Sequence, residues 1–109
     1  MLGIIGGTGL SQLEGFEVVE QKWIETPFGQ PSSILSFVTF NNHKIVFLAR
    51  HGVPHKVAPH KINYRANLFA LKESGVKDII AVNAVGGIHS ELCPTALAIP
   101  DQIIDYLAI

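Results

Sequence analysis

The sequence LGIIGGTG at residues 2–9 decides how this chain begins to fold. Its apolar run stops at a glycine-rich stretch, which is typical of a buried strand that feeds a tight turn. Backbone N–H groups in such a turn can point together at one anion, and glycine allows close approach because it lacks a Cβ. The stretch therefore predicts a strand followed by an anion-binding loop around Thr8, although a tight turn without a ligand explains the same residues.

A pair of hairpin strands is predicted after this loop. Residues 16–25 are rich in β-branched and aromatic side chains and predict a strand, which ends at the irregular, proline-containing loop of residues 26–31. Residues 34–40 and 44–49 predict two more strands, joined by a polar turn at residues 41–43. An antiparallel hairpin is therefore expected early in the chain.

A loop, a helix and a strand are predicted next. Residues 50–61 contain three histidines and two prolines without any periodicity, which indicates a loop. Residues 62–74 carry apolar side chains at helical spacing, and Gly75 is a suitable stop for that helix. Residues 78–82 form a continuous apolar strand, so strand, helix and strand together predict a right-handed parallel crossover. Further short strand candidates are residues 97–99 and 102–106.

The composition narrows the class of protein. The chain has 109 residues, enough for one compact domain or a piece of one. Of these residues 48% are hydrophobic and 16% are charged, and so small a domain cannot bury that large an apolar fraction. An oligomer interface or a missing second half would cover that surface. A net charge of −1 without any Lys/Arg run argues against a nucleic-acid partner.

The location in the cell is predicted from cysteine usage and from the N-terminus. Cys93 is the single cysteine, so an intrachain disulfide is excluded. The N-terminus lacks the basic and apolar regions of a signal peptide, and no stretch approaches the length of a membrane span. We therefore expect a cytoplasmic protein without a membrane partner.

Polar side chains follow two of the predicted strands. Arg50 and His51 come directly after the strand that ends at Ala49, where a guanidinium can bind phosphate bidentately and an imidazole can donate beside it. Asn83 and Ala84 follow the last strand in the same way. Open α/β sheets bind ligands at the carboxyl edge of their strands, which predicts one phosphate site there. A solvated arginine, a loop histidine and a simple turn explain the same residues without a ligand.

Three histidines, His51, His55 and His60, raise the question of a metal site. Two ligands four residues apart would need a helix, and Pro54 and Pro59 oppose one. No acidic residue or cysteine lies nearby to complete a ligand set. The sequence therefore predicts ordered loop histidines and no metal.

Five short motifs occur in order along the chain: GIIGGTGL at 3–10, TPFG at 26–29, LARHG at 48–52, NYRAN at 63–67 and DQIIDY at 101–106. Together they resemble the methylthioadenosine phosphorylase family. The resemblance covers nearly the whole chain, and it is far more specific than any one of the motifs alone.

The resemblance implies a nucleoside phosphorylase-like α/β fold, with a mixed β-sheet flanked by helices, assembled as a trimer or hexamer. It implies an enzyme that cleaves a purine nucleoside with inorganic phosphate as co-substrate, without a cofactor, to free base and sugar 1-phosphate. Thr8, Arg50 and His51 match the family's phosphate ligands, and Asn83 with Ala84 matches a segment that touches phosphate and the sugar.

Two details of the resemblance bear on substrate and completeness. Residues 81–87, AVNAVGG, look more like relatives that prefer 6-oxopurines, which favours S-methyl-5'-thioinosine over S-methyl-5'-thioadenosine. The acid that protonates the base is expected beyond Ile109, so no catalytic residue is assigned within this portion. Residues 1–109 are therefore predicted to be the N-terminal part of a single nucleoside phosphorylase domain, truncated and inactive alone.

Two other classes of protein compete with this interpretation. The first is a non-catalytic remnant that self-associates or pairs with intact subunits through uncovered apolar surface. The second is a nucleotide-binding module of Rossmann type, which the missing G-x-G-x-x-G spacing and the early hairpin disfavour.

Overall fold

A computed structural model of the chain describes residues 1–7, 14–54 and 56–106. These residues form a five-stranded sheet of strand order β2-β3-β4-β1-β5, with one α-helix against it. This mixed α/β sheet confirms the predicted fold class. The elements are β1 (Leu2–Gly6), β2 (Glu17–Lys22), β3 (Leu35–Phe40), β4 (His43–Ala49), α1 (Tyr64–Glu73) and β5 (Asp78–Ala81), with a short 3-10 helix at Pro59–Lys61.

The parallel half of the sheet is centred on β1. This strand pairs with β4 on one side and β5 on the other, and Gly6 lies opposite Ala49 while Ile5 lies opposite Ala81. The three carboxyl ends therefore meet at one edge of the sheet. That edge carries the residues that follow each strand.

The antiparallel half is the predicted hairpin, with a tighter turn than expected. Phe40 pairs directly with His43, so the turn consists of Asn41 and Asn42 alone. Both adopt positive φ angles, 47° and 66°, as a two-residue type I′ turn requires. The prediction that His43 belongs to the turn was wrong, because the right-handed twist of the strands favours the two-residue connection.

The outer strand β2 is shorter than the predicted residues 16–25. It pairs antiparallel with β3, and Lys22 lies opposite Leu35, the first residue of β3. No residue of β3 remains to pair beyond that point. The strand therefore ends where its only partner among the described residues begins.

The core lies between α1 and one face of the sheet. Ala66, Ala70 and Leu71 of the helix are fully buried, and the latter two join a cluster with side chains of β3 and β4. Gly3 of β1 faces this cluster, and a Cβ there would lie 2.8 Å from a methyl group of Val76, so any larger residue would force the packing to shift. The sheet members of the cluster are Leu35, Val46 and Leu48.

The ends of α1 follow the predicted signals with small shifts. The side chain of Asn63 accepts a hydrogen bond from the backbone N–H of Ala66 and caps the first turn. Gly75 adopts a φ of 92° directly after the cap residue Ser74, as a helix stop requires. The helix therefore spans Tyr64–Glu73 within the predicted residues 62–74.

Residues 82–106 contain no strand, so the strands predicted at residues 97–99 and 102–106 were wrong. Leu97 and Ile99 are each 92% exposed, and no strand among the described residues pairs with their backbone. A β-strand needs a neighbour for its N–H and C=O groups, and apolar composition alone cannot supply one. In the described ranges, no helix combines the length and apolarity that crossing a bilayer demands.

Candidate functional site

The site begins where the sheet ladder ends. The backbone N–H of Arg50 donates to the carbonyl of Gly6 over 3.0 Å, and the N–H of Val82 donates to that of Ile5 over 2.9 Å. These bonds continue the parallel pairing one residue beyond β4 and β5. The segments that follow β4 and β5 therefore start on either side of β1.

Arg50 spans this edge with its side chain. Its Nη1 donates to the carbonyl of Val82 over 3.1 Å, and its Nε lies 3.4 Å from Nε2 of His51. These two contacts use only part of the guanidinium, which carries five N–H donors. The side chain is thus held across the strand ends with donors remaining for an anion.

His51 is held by its own loop. Its Nδ1 lies 2.9 Å from the carbonyl oxygen of Val57, and because a carbonyl only accepts, Nδ1 carries the proton. The backbone carbonyl of His51 in turn accepts from Lys56 and Val57. Nε2 is then the nitrogen that accepts the hydrogen bond from Nε of Arg50.

A cleft of about 600 Å³ lies at the same edge. Arg50, His51, Asn83 and Ala84 all line it, so the structure brings together four of the five residues predicted for the phosphate site. None of the described residues that line it is acidic, and Arg50 contributes a positive charge. The remaining members of the lining are mostly apolar, among them Ile5, Ile62, Leu68 and Ile79.

Two predicted features lie outside the described residues. Thr8, the fifth candidate ligand of phosphate, follows the described Gly7 at the end of β1. His55 is likewise not described. Among the side chains that are described, no three His, Cys, Asp or Glu residues lie close enough together to hold a metal ion.

The sequence reasoning missed a buried polar group in the wall of the cleft. Asn67 is 2% exposed, and its amide bonds to Ser32 twice: Oδ1 accepts from the backbone N–H over 2.8 Å, and Nδ2 donates to Oγ over 3.1 Å. The signal was a single asparagine on the apolar face of α1, between Ala66 and Ala70. A polar residue on such a face must find buried hydrogen-bond partners.

Gly52 closes the turn that carries Arg50 and His51. It is buried, has a φ of 85°, and a Cβ there would lie 3.1 Å from the carbonyl oxygen of Ser32. We expect Gly52→Ala to lower the free energy of unfolding by about 1–3 kcal/mol, because left-handed backbone and the close approach both oppose a side chain. Urea denaturation measures the change.

Gly86→Ala is the matched control for Gly52→Ala. A Cβ at Gly86 would meet nothing within 4 Å, and its φ lies outside the left-handed region. We expect its free energy of unfolding to stay within about 0.5 kcal/mol of the wild type. Equal losses in the two variants would contradict a special requirement for glycine at position 52.

Fold and cleft together define an α/β protein with a cleft, lined by Arg50 and His51, at the carboxyl edge of its parallel strands. Comparison with protein families gives a match to the Phosphorylase superfamily over residues 1–108. The chain belongs to this superfamily.

Sequence relatives carry two related names. A probable S-methyl-5'-thioinosine phosphorylase of Pseudomonas syringae is 47% identical over 103 residues, which are 94% of this chain and 42% of the relative. An S-methyl-5'-thioadenosine phosphorylase of Neurospora crassa is 50% identical over 104 residues, which are 95% of this chain and 34% of the relative. The chain thus spans less than half the length of these relatives.

Solved structures agree with the fold. The methylthioadenosine phosphorylase of Schistosoma mansoni in its apo form superposes with a TM-score of 0.78 at 41% identity, covering 85% of this chain and 33% of that one. A methylthioadenosine phosphorylase from an antarctic soil metagenomic library gives a TM-score of 0.69 at 40% identity, covering 73% of this chain and 28% of that one. The nucleoside phosphorylase-like fold predicted from the resemblance is confirmed.

Proposed function

We propose that this chain supplies the phosphate-binding part of an enzyme that cleaves a purine nucleoside with inorganic phosphate. The observation that carries the proposal is the convergence of Arg50, His51, Asn83 and Ala84 on one cleft without acidic lining among the described residues. Such a cleft attracts a small anion. The names of the relatives supply the reaction class.

Arg50 and His51 have complementary roles in this proposal. The guanidinium, braced on the carbonyl of Val82, donates charge-assisted hydrogen bonds to phosphate oxygens. The imidazole of His51 lies beside the guanidinium, because its Nδ1 bonds to the carbonyl of Val57 and its Nε2 accepts from Nε of Arg50. In this proposal His51 therefore holds the guanidinium in the orientation that binds the phosphate.

The remaining ligands come from the neighbouring strand ends. Asn83 and Ala84 line the cleft in the segment that follows β5, and we assign Thr8, in the sequence segment that follows β1, as a further ligand. Backbone N–H groups at such turns form cradles for anions. In this proposal the phosphate lies between the two segments, beneath the sugar of the nucleoside.

The chemistry follows from that placement. Cleavage of the glycosidic bond builds positive charge on the sugar, and a fixed phosphate dianion beneath it stabilises the transition state. Holding nucleophile and nucleoside in line also makes their reaction effectively intramolecular. Protonation of the departing purine requires an acid, which we assign to the part of the relatives that this chain does not span.

S-methyl-5'-thioinosine is the favoured nucleoside within the proposal. The segment AVNAVGG at residues 81–87 supports it, and relatives named for this substrate and for S-methyl-5'-thioadenosine are similarly close. The cytoplasmic location and the trimeric or hexameric assembly stay predictions. The site needs no cofactor in this mechanism, since phosphate is a co-substrate.

Phosphate-dependent release of base from the two methylthionucleosides tests the function. The chain alone is compared with a fusion in which the remaining segment of the Pseudomonas syringae relative follows it. We expect hypoxanthine release by the fusion and phosphate binding without turnover by the chain alone. A folded fusion that releases neither hypoxanthine nor adenine would overturn the proposal.

A non-catalytic interaction role is the second candidate, and the apolar side chains of residues 82–106 favour it. Val85, Ile88 and Leu97 are each more than 80% exposed. Such surface promotes self-association or pairing with intact subunits. Sedimentation would give oligomers for this role, and a monomer that binds phosphate would count against it.

A further inference from the structure

Asn67 lies on α1, not at a strand end, and lines the wall of the cleft, and its hydrogen bonds lead to the turn that carries Arg50 and His51. It is among the largest fully buried side chains of the described residues and the only polar one in that group. Its two hydrogen bonds both end on Ser32, which belongs to the segment before β3. These two buried hydrogen bonds thereby fix the helix to that segment.

The next residue of the segment reaches β4. The hydroxyl of Ser33, which is 4% exposed, accepts from the backbone N–H of Ala49 over 3.0 Å and donates to the carbonyl of Ile34 over 2.9 Å. Ala49 is the last residue of β4 and immediately precedes Arg50. Ser33 therefore holds the backbone from which the guanidinium extends.

Ser32 supports the other side of the same turn. Its carbonyl lies against Gly52, where a Cβ would come within 3.1 Å, and the N–H of Gly52 donates to the carbonyl of Ala49 over 3.0 Å. Ser32 and Ser33 thus form a shelf beneath the turn of residues 49–52. Asn67 fixes this serine shelf to α1.

We infer that Asn67 is a positioning residue for phosphate binding, acting through Ser32 and Ser33 on Arg50 and His51. The inference rests on the proposed function and adds a residue outside the predicted ligands. Groups that bind a substrate must be held within about 0.5 Å of their working geometry by locked neighbours. A hydrogen-bonded buried amide supplies such a lock, because leaving its partners unpaired is costly.

Titration of the chain with inorganic phosphate, followed by NMR, tests this role. We expect Asn67→Ala and Ser33→Ala each to weaken phosphate binding about 10- to 100-fold, as small displacements of binding groups do. The backbone amide signals of Arg50 and Gly52 should shift in both variants before phosphate is added. Ser33→Ala provides the answer if Asn67→Ala fails to fold, since it breaks the same chain of contacts at another point.

Asn63→Ala is the matched control. It removes the helix cap and the bond from Asn63 to the carbonyl of Phe28, so it destabilises the same helix without touching the serine shelf. All titrations use a temperature at which each variant is folded. We expect Asn63→Ala to bind phosphate as the wild type does.

The outcomes separate the two claims. Wild-type protein that does not bind phosphate would overturn the proposed function of the cleft. Wild-type protein that binds phosphate, with unchanged affinity in folded Asn67→Ala or Ser33→Ala, would overturn the positioning role alone. Equal weakening in Asn63→Ala would also overturn it, because general destabilisation of α1 would then account for the effect.

Discussion

Arg50→Ala will reduce phosphate binding by about 100-fold or more, because each charge-assisted hydrogen bond contributes roughly 1.5–3 kcal/mol and the guanidinium can make two. The side chain lines the cleft and is braced on the carbonyl of Val82. No other arginine or lysine is among the described residues that line the cleft. Isothermal titration calorimetry with inorganic phosphate measures the loss.

Two variants make this result specific. Arg50→Lys keeps the charge but loses the planar fork, and we expect affinity between those of wild type and Arg50→Ala. Arg65→Ala removes the same charge from an exposed position on α1 that does not line the cleft. A loss in Arg65→Ala equal to that in Arg50→Ala would mean that net charge, and not a local contact, governs binding.

Leu71→Ala will cost the fold about 2–5 kcal/mol, as truncation of a buried leucine does when the cavity cannot collapse. Leu71 is fully buried and joins α1 to Leu35, Val46 and Leu48 in the core. Small domains have a total stability of only about 5–15 kcal/mol, so this variant is expected to be partly or wholly unfolded. Urea denaturation followed by circular dichroism measures the effect.

Leu68→Ala is the control on the same helix. Leu68 is 51% exposed, so the same truncation removes little buried surface there. We expect a change of about 0.5 kcal/mol or less. Similar losses for Leu68→Ala and Leu71→Ala would show that helix propensity, and not core packing, sets the stability of α1.

Most elements of the fold follow from local sequence. Element boundaries are marked by the glycine after β1, the paired asparagines before β4 and Gly75 after α1. Glycine and asparagine accept the backbone angles of turns more readily than other residues, so these boundaries are recognisable from the local sequence. The apolar periodicity of residues 62–74 likewise identified the helix. Local signals of this kind depend on a few neighbouring residues, which the sequence lists directly.

The wrong strand predictions concern segments whose structure depends on a pairing strand elsewhere in the chain. Residues 97–99 and 102–106 have apolar and β-branched side chains like those of a strand, yet they form no strand in the structure. His43 was placed in the turn because polarity alone suggested it, whereas its pairing with Phe40 places it in β4. Strand pairing depends on residues distant in sequence, so composition cannot fix it.

The candidate site divides in the same way. Arg50, His51, Asn83 and Ala84 could be chosen from the sequence because each directly follows a strand, and parallel strands place their carboxyl ends at one edge. That rule needs only the order of the elements. Only the structure shows that the side chain of Arg50 bonds to the carbonyl of Val82 and that Nδ1 of His51 carries the proton.

The sequence by itself determined the family, the α/β class and the strand ends that carry the candidate residues, because these are written in short motifs and local periodicity. Only the tertiary structure decided that Asn67, through two serines 35 and 34 residues earlier in the chain, supports the turn of Arg50 and His51. A buried hydrogen bond joins side chains that the fold brings together, and its partners are not recognisable until the chain has folded.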